Sequence, residues 1–72
     1  MKLLFKSKPL YNGSLNNVGN VKLYENIEDG EYTIVVSTYV YMKQTYYKEY
    51  KVNGNYNKAC SVYSNICKYY KV

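Results

Sequence analysis

The strongest structural signal in this chain is the segment Tyr32-Thr33-Ile34-Val35-Val36-Ser37-Thr38-Tyr39-Val40-Tyr41-Met42. It is dense in β-branched and aromatic residues, which suit a pleated and half-buried surface, so it predicts a long central strand. Because side chains alternate along a strand, the segment has two distinct faces. One face holds Ile34, Val36, Thr38, Val40 and Met42, and the other holds Thr33, Val35, Ser37, Tyr39 and Tyr41.

A second strand is predicted before this segment. From Asn20 onward, Val21, Leu23 and Ile27 alternate with polar side chains. The run Glu28-Asp29-Gly30 then predicts a tight turn, because glycine can adopt a positive φ in a short hairpin loop.

A further strand is predicted after it. Lys43-Gln44 is expected to reverse the chain, Thr45 to Val52 returns as a strand, and Asn53-Gly54 ends it. Residues 20–53 therefore predict an antiparallel β-meander. Upstream, residues 1–19 predict a short edge strand from Lys2 to Ser7, followed by a loop rich in Asn and Gly.

The last segment, residues 54–71, predicts an α-helix. Its apolar residues recur at spacings of three and four, which places them along one helical stripe. Either Asn55 or Asn53 can cap its first turn, and Lys68 and Lys71 suit the negative end of the helix dipole. The stripe consists of Tyr56, Ala59, Cys60, Tyr63, Ile66, Cys67 and Tyr70.

Together these elements predict a single α+β domain over residues 1–72: a three- to four-stranded antiparallel sheet with one C-terminal helix on one face. The face beneath the helix is expected to hold Val21, Leu23, Ile27, Ile34, Val36, Val40, Met42, Tyr50 and Val52. The open face is expected to hold Lys22, Tyr24, Thr33, Val35, Ser37, Tyr39, Tyr41, Thr45, Tyr47 and Lys51. A register error of one residue would exchange the two sets, so the sequence leaves open which face is covered.

The composition argues against most enzyme chemistry. The chain has twelve tyrosines and ten lysines but no arginine, histidine or tryptophan, and its formal net charge is +5. Without histidine it lacks the commonest general base and metal ligand, and without arginine it lacks bidentate clamping of phosphate. Four of its five acidic residues crowd one predicted turn segment, which favours a solvated turn over paired catalytic carboxylates. We expect a protein that is not an enzyme and uses no metal or cofactor.

The apolar segments are too short for secretion or membrane insertion. The apolar run before Lys6 contains only three residues, Leu3, Leu4 and Phe5, whereas a secretory signal needs an apolar run of about 7–15 residues. We therefore expect a cytoplasmic protein with no membrane partner, located in the host cytoplasm if a phage encodes it. Cys60 and Cys67 would lie roughly 10 Å apart on the predicted helix, too far for a disulfide, so both are expected to be small core residues.

The open face is the candidate partner-binding surface. Tyrosine offers a large rigid contact area with a hydroxyl group, and it is enriched at interface hot spots. Cross-strand tyrosine pairs that merely stabilise a thin sheet are the alternative interpretation. The residues expected to bind a partner are Tyr24, Tyr39, Tyr41, Tyr47, Lys22, Lys43, Lys48 and Lys51.

Three kinds of partner fit this surface. The first is a host protein or a protein–RNA complex, which the chain would bind and block. The second is single-stranded nucleic acid, with tyrosines stacking on bases and lysines contacting phosphates. The third is a second copy of the chain, giving a homodimer.

The segment from Glu25 to Tyr70 resembles the small orphan proteins of phages and mobile elements, some of which are anti-CRISPR proteins. The features concerned are an acidic hairpin with glycine (Glu28-Asp29-Gly30-Glu31-Tyr32), a tyrosine-rich return strand (Tyr46-Tyr47-Lys48-Glu49-Tyr50) and an Asn-capped helix. Lysine without arginine, together with many Asn and Tyr, also fits an A+T-rich coding sequence. The resemblance implies a short, cytoplasmic, non-enzymatic inhibitor of a host defence complex. The positive charge differs from the acidic DNA mimics of that group, so blocking a protein surface or a guide-RNA complex fits better.

Overall fold

The computed structural model describes residues 1–72 and contains five strands and one helix. All paired strands are antiparallel, in the order β1-β3-β4-β5, with β2 beside the first part of β3. The predicted α+β fold, an antiparallel sheet followed by one C-terminal helix, is confirmed. The elements are β1 (Lys2–Lys6), β2 (Leu10–Tyr11), β3 (Asn17–Glu25), β4 (Tyr32–Val40), β5 (Lys43–Val52) and α1 (Tyr56–Tyr69).

The core lies between α1 and one face of the sheet. Val21 and Leu23 of β3 and Ile34 and Val36 of β4 are completely buried, as is Ala59 on the helix. Complete burial of alternate residues on two neighbouring strands shows which face the helix covers, and it is the face expected from the alternation. Half-buried side chains from β5 and α1 complete the packing, including Tyr46, Tyr50, Val62, Tyr63 and Ile66.

The predicted turn at Glu28-Asp29-Gly30 is confirmed, with Gly30 at a φ of 72°, but the β4–β5 hairpin turns two residues earlier than predicted. Val40 pairs with Lys43, so the chain reverses at Tyr41 and Met42 and not at Lys43-Gln44. A two-residue turn matches the twist of the flanking strands, and Tyr41 adopts a φ of 57° to make it. Met42 is 97% exposed and Ile27, in the β3–β4 turn, is 75% exposed. The expectation that Met42 and Ile27 belong to the core was therefore wrong.

A β-bulge at Thr45 also departs from simple alternation. Thr38 pairs with Tyr46 whereas Tyr39 pairs with Gln44, so Thr45 has no partner in the ladder. Its hydroxyl bonds with Thr38 Oγ1 at 2.9 Å and donates to Asn17 Oδ1. Because Thr38 lies on the helix side, Thr45 lies there too. The expectation that Thr45 belongs to the open face was therefore wrong. A bulge that shifts a strand by one residue cannot be read from alternation.

The N-terminal segment joins the sheet more fully than predicted. The expected edge strand is confirmed as β1, but residues 9–20, expected to be a loop, contain β2 and the start of β3. This brings the sheet to five strands. Gly19 permits the close approach of β3 and β4, because a Cβ atom there would lie 2.6 Å from Thr38 Cα.

The helix begins and ends as its sequence indicates. Asn55 is the N-cap, and its side chain accepts a hydrogen bond of 2.9 Å from the Lys58 backbone N–H. Lys68 lies in the last turn. Cys60 and Cys67 are free thiols and half-buried. The helix lacks the length and apolar character that crossing a bilayer requires.

Candidate binding surface

The sheet face opposite α1 is covered by no other element, and it gathers the predicted tyrosines. Tyr24, Tyr39 and Tyr47, from three neighbouring strands, line one shallow concavity of about 410 Å³ together with Lys22. Met1, Val35 and Ser37 form the rest of its lining. The structure therefore brings together four of the eight residues expected to bind a partner. We call this surface, defined by Tyr24, Tyr39, Tyr47 and Lys22, the tyrosine face.

The side chains of the tyrosine face also shield the sheet beneath them. Thr33 is fully buried and Ser37 is nearly so, although neither lies beneath the helix. Asn26 Nδ2 donates a hydrogen bond of 3.2 Å to Thr33 Oγ1, which satisfies that buried hydroxyl. Tyr39 and Tyr47 nevertheless remain 40% and 50% exposed. Each ring thus has one part packed on the sheet and one part free to contact a partner.

A polar network on β5 holds the hydroxyl of Tyr47. This hydroxyl donates to Glu49 Oε2 at 2.8 Å, and Lys51 Nζ lies 3.3 Å from Glu49 Oε1. The hydrogen bond from Tyr47, and then Lys51, lower the pKa of the Glu49 carboxyl, while the same hydrogen bond raises the pKa of Tyr47. Tyr39 is held in a similar way, since its hydroxyl donates to Gln44 Oε1 at 3.0 Å. Hydrogen bonds within the chain therefore fix the orientation of the two most exposed rings of the face.

Two lysines oppose each other at the edge of the tyrosine face. Lys6 pairs directly with Lys22 across β1 and β3, and both line a second concavity of about 370 Å³ that also reaches Tyr39. The sequence did not single out Lys6, because alternation from Leu4, which packs on the core, places it on the helix side. An irregularity between Leu3 and Phe5 moves Lys6 to the open face. Only the bulge, which alternation does not reveal, brings the two cations together.

Three predicted residues lie away from the tyrosine face. Lys48 is on the helix side, with its Nζ 5.4 Å from the centroid of the Tyr50 ring. Lys43 pairs with Val40 at the hairpin end, which also places it on the helix side. Tyr41 is in the turn and 92% exposed. Lys51 remains on the open face, opposite Thr33, where it is engaged with Glu49.

The groups on this face are suited to binding. Aromatic rings, fixed hydroxyls and lysines offer stacking, hydrogen bonding and attraction to anions. The chain contains no cluster of three or more His, Cys, Asp or Glu side chains that could hold a metal ion.

Comparison with known proteins identifies no relative of this chain. No protein-family model matches the chain, and neither a curated protein nor a solved structure matches it.

Proposed function

We propose that this chain is a non-catalytic inhibitor that binds a host defence protein or ribonucleoprotein through the tyrosine face and blocks it. The observation that carries the proposal is the uncovered concavity that joins Tyr24, Tyr39, Tyr47 and Lys22. Half-exposed tyrosines whose hydroxyls are already oriented lose little conformational entropy on binding. The resemblance of the segment from Glu25 to Tyr70 to small phage proteins favours a defence complex as the partner.

The charges of the face favour an anionic partner. Like charges directly opposite on neighbouring strands destabilise a sheet, and Lys6 and Lys22 stand in this relation. A phosphate or carboxylate between them would relieve the repulsion. The nearby Glu49 is matched by Lys51, so it does not offset these two lysines. A ribonucleoprotein offers both anionic phosphates and protein surface.

A test in cells uses phage infection of a low-GC bacterium that has active RNA-guided immunity. Expression of the chain should restore plaque formation, and the double variant Tyr39→Ser/Tyr47→Ser should lose this effect, because each hot-spot tyrosine is worth about 1 kcal/mol or more. The control is Leu15→Ser, which removes an exposed apolar side chain from the loop between β2 and β3, outside both concavities of the face. Restored plaques with the double variant would contradict the assigned surface, and no effect of the unaltered chain would contradict the proposed target.

Single-stranded nucleic acid alone is a second candidate, favoured by the pairing of Lys6 with Lys22 beside exposed rings. The test is anisotropy of a fluorescent single-stranded oligonucleotide at several salt concentrations. If the chain binds it directly, log K should fall with log[salt] by about 0.7 per phosphate neutralised, and Lys6→Ala should reduce that slope. Weak, non-saturating binding at physiological salt would leave the protein-containing complex as the partner.

A further inference from the structure

The edge of the sheet formed by β5 is open. β5 is the last strand of the sheet, and no backbone hydrogen bond outside the β4–β5 ladder involves its residues. Along its outer edge the strand therefore presents N–H and C=O groups without protein partners. Such an edge is a template on which another extended segment can pair.

A groove runs beside this edge, between β5 and α1. Alternate β5 residues form one wall and helix residues form the other, enclosing about 300 Å³. The segment 46–50 spans about 13 Å at the usual rise of a strand, enough for a few residues of an added strand. We call this the β5–α1 groove, and its main lining residues are Tyr46, Lys48, Tyr50, Val62, Ile66 and Tyr69.

A pocket of about 210 Å³ adjoins one end of the groove. Tyr46, Tyr69 and Tyr70 line both the groove and the pocket, and Leu10 also lines the pocket. The hydroxyls of Tyr46 and Tyr70 are hydrogen-bonded to each other at 2.8 Å, and the rings of Tyr69 and Tyr70 meet edge to face. The walls are thus fixed and mostly aromatic, which suits a single apolar or aromatic side chain.

The charge of the groove selects among possible peptides. None of the residues lining the groove or its end pocket is acidic, and the Lys48 ammonium lies over the Tyr50 ring within the groove. An incoming carboxylate would therefore meet a cation and no competing anion.

We propose that the β5–α1 groove binds an extended acidic peptide. The peptide pairs with the β5 edge as an added strand, places a carboxylate near Lys48 and inserts an apolar or aromatic side chain into the end pocket. Alternate side chains of the added strand face the groove, so its acidic and apolar residues must lie two positions apart, on the same face of that strand. The groove lies on the opposite side of the sheet from the tyrosine face, so this proposal does not depend on the proposed function.

The test is to display random peptides of about seven residues and to select those that bind the whole chain. Selected peptides should have an acidic and an apolar residue two positions apart. A labelled synthetic copy of the strongest peptide should bind saturably and slow amide hydrogen exchange within β5. Replacing alternate backbone N–H groups of the peptide with N-methyl groups should weaken binding at least about tenfold, because strand addition needs those donors. Selection that yields no such peptide, or unchanged exchange in β5, would overturn the proposal.

Two charge reversals on the same strand separate this groove from general attraction. Lys48→Glu should weaken peptide binding by about tenfold, because it places an anion against the carboxylate. Lys51→Glu makes the same change in net charge on the other face of the sheet, and it should change binding by less than about twofold. Equal effects of the two variants would overturn the assigned site. Competition by a single-stranded oligonucleotide that shifts the same groove residues would replace the peptide with nucleic acid as the occupant.

Discussion

At the scale of single residues, Tyr47 both lines the proposed binding surface and makes a hydrogen bond within the sheet. Its ring lies in the concavity and its hydroxyl is fixed by Glu49, which in turn contacts Lys51. Three side chains at alternate positions of one strand thus form a chain of contacts on one face. The arrangement neutralises an acidic group that would otherwise oppose an anionic partner.

This contact predicts a change in the acid titration of Glu49. The hydrogen bond from Tyr47 is the largest cause that lowers the pKa of the Glu49 carboxyl, so Tyr47→Phe should raise that pKa toward the usual range of glutamate. A carboxyl whose pKa is lower in the folded chain adds stability above its unfolded pKa and loses it as the pH falls through its folded pKa. Carboxyl NMR titration measures the pKa. Tyr39→Phe is the control, and an equal shift in that variant would contradict the assignment.

Gly19 is required where β3 and β4 approach each other closely. Its position has no room for a side chain, because a Cβ atom would overlap the Ser37 carbonyl oxygen and approach Thr38 Cα at 2.6 Å. Gly19→Ala should therefore lower the free energy of unfolding by about 3 kcal/mol or more. Gly13→Ala, at a φ of 85° but in open space, should cost about 1 kcal/mol. Urea denaturation compares the two variants, and an equal loss would show that β3 and β4 do not approach as closely as described.

At the scale of elements, α1 depends on its first turn. The helix has no acidic residue in that turn, so the Asn55 side chain supplies the one capping interaction there. Asn55→Ala should lower the free energy of unfolding by about 1 kcal/mol. Asn57→Ala, an exposed site within the helix, should leave it unchanged or raise it slightly. Thermal unfolding followed by circular dichroism checks both, and a loss at Asn57 equal to that at Asn55 would contradict the assigned cap.

The strand β5 illustrates how one element serves two surfaces. Its alternation sends Tyr47, Glu49 and Lys51 to the open face and Tyr46, Lys48 and Tyr50 toward α1. The bulge at Thr45 fixes this division, because it shifts the residues before it by one position relative to those after it. The same strand can thus contribute to the tyrosine face and to the β5–α1 groove.

At the scale of the whole molecule, the core is small. Only ten of the 72 residues are buried, so each core side chain accounts for a large share of the stability. Leu23→Ala should lower the free energy of unfolding by about 2–5 kcal/mol, a large fraction of what a domain of this size has. Ile27→Ala, at an exposed apolar site, should change it by less than about 0.5 kcal/mol. Chemical denaturation measures both. Similar losses would mean that Leu23 does not lie in a packed core.

The distribution of charge on the molecule also follows from the fold. The ten lysines are scattered along the sequence, yet the sheet places Lys6 beside Lys22 on one face and Lys48 in the groove on the other. Lys48 was expected on the same surface as Tyr24, Tyr39 and Tyr47, and the sheet separates it from them. Spacing in sequence could not show this, because it depends on the side of the sheet to which each position turns.

The α+β class, the central strand, the capped helix and the two sets of side chains that alternate along the strands could all be predicted from the sequence alone. These features follow from local propensity and from the periods of two and 3.6 residues, which act within one element at a time. The tertiary structure adds what the sequence left open: which set of side chains the helix covers, the turn at Tyr41-Met42, the bulges near Leu4 and Thr45 and the pairing of residues 10–11. These features depend on the register and twist of neighbouring strands, which are set by contacts between distant segments. They also decided which lysines and tyrosines share a surface, because one inserted residue turns the following side chains to the opposite face.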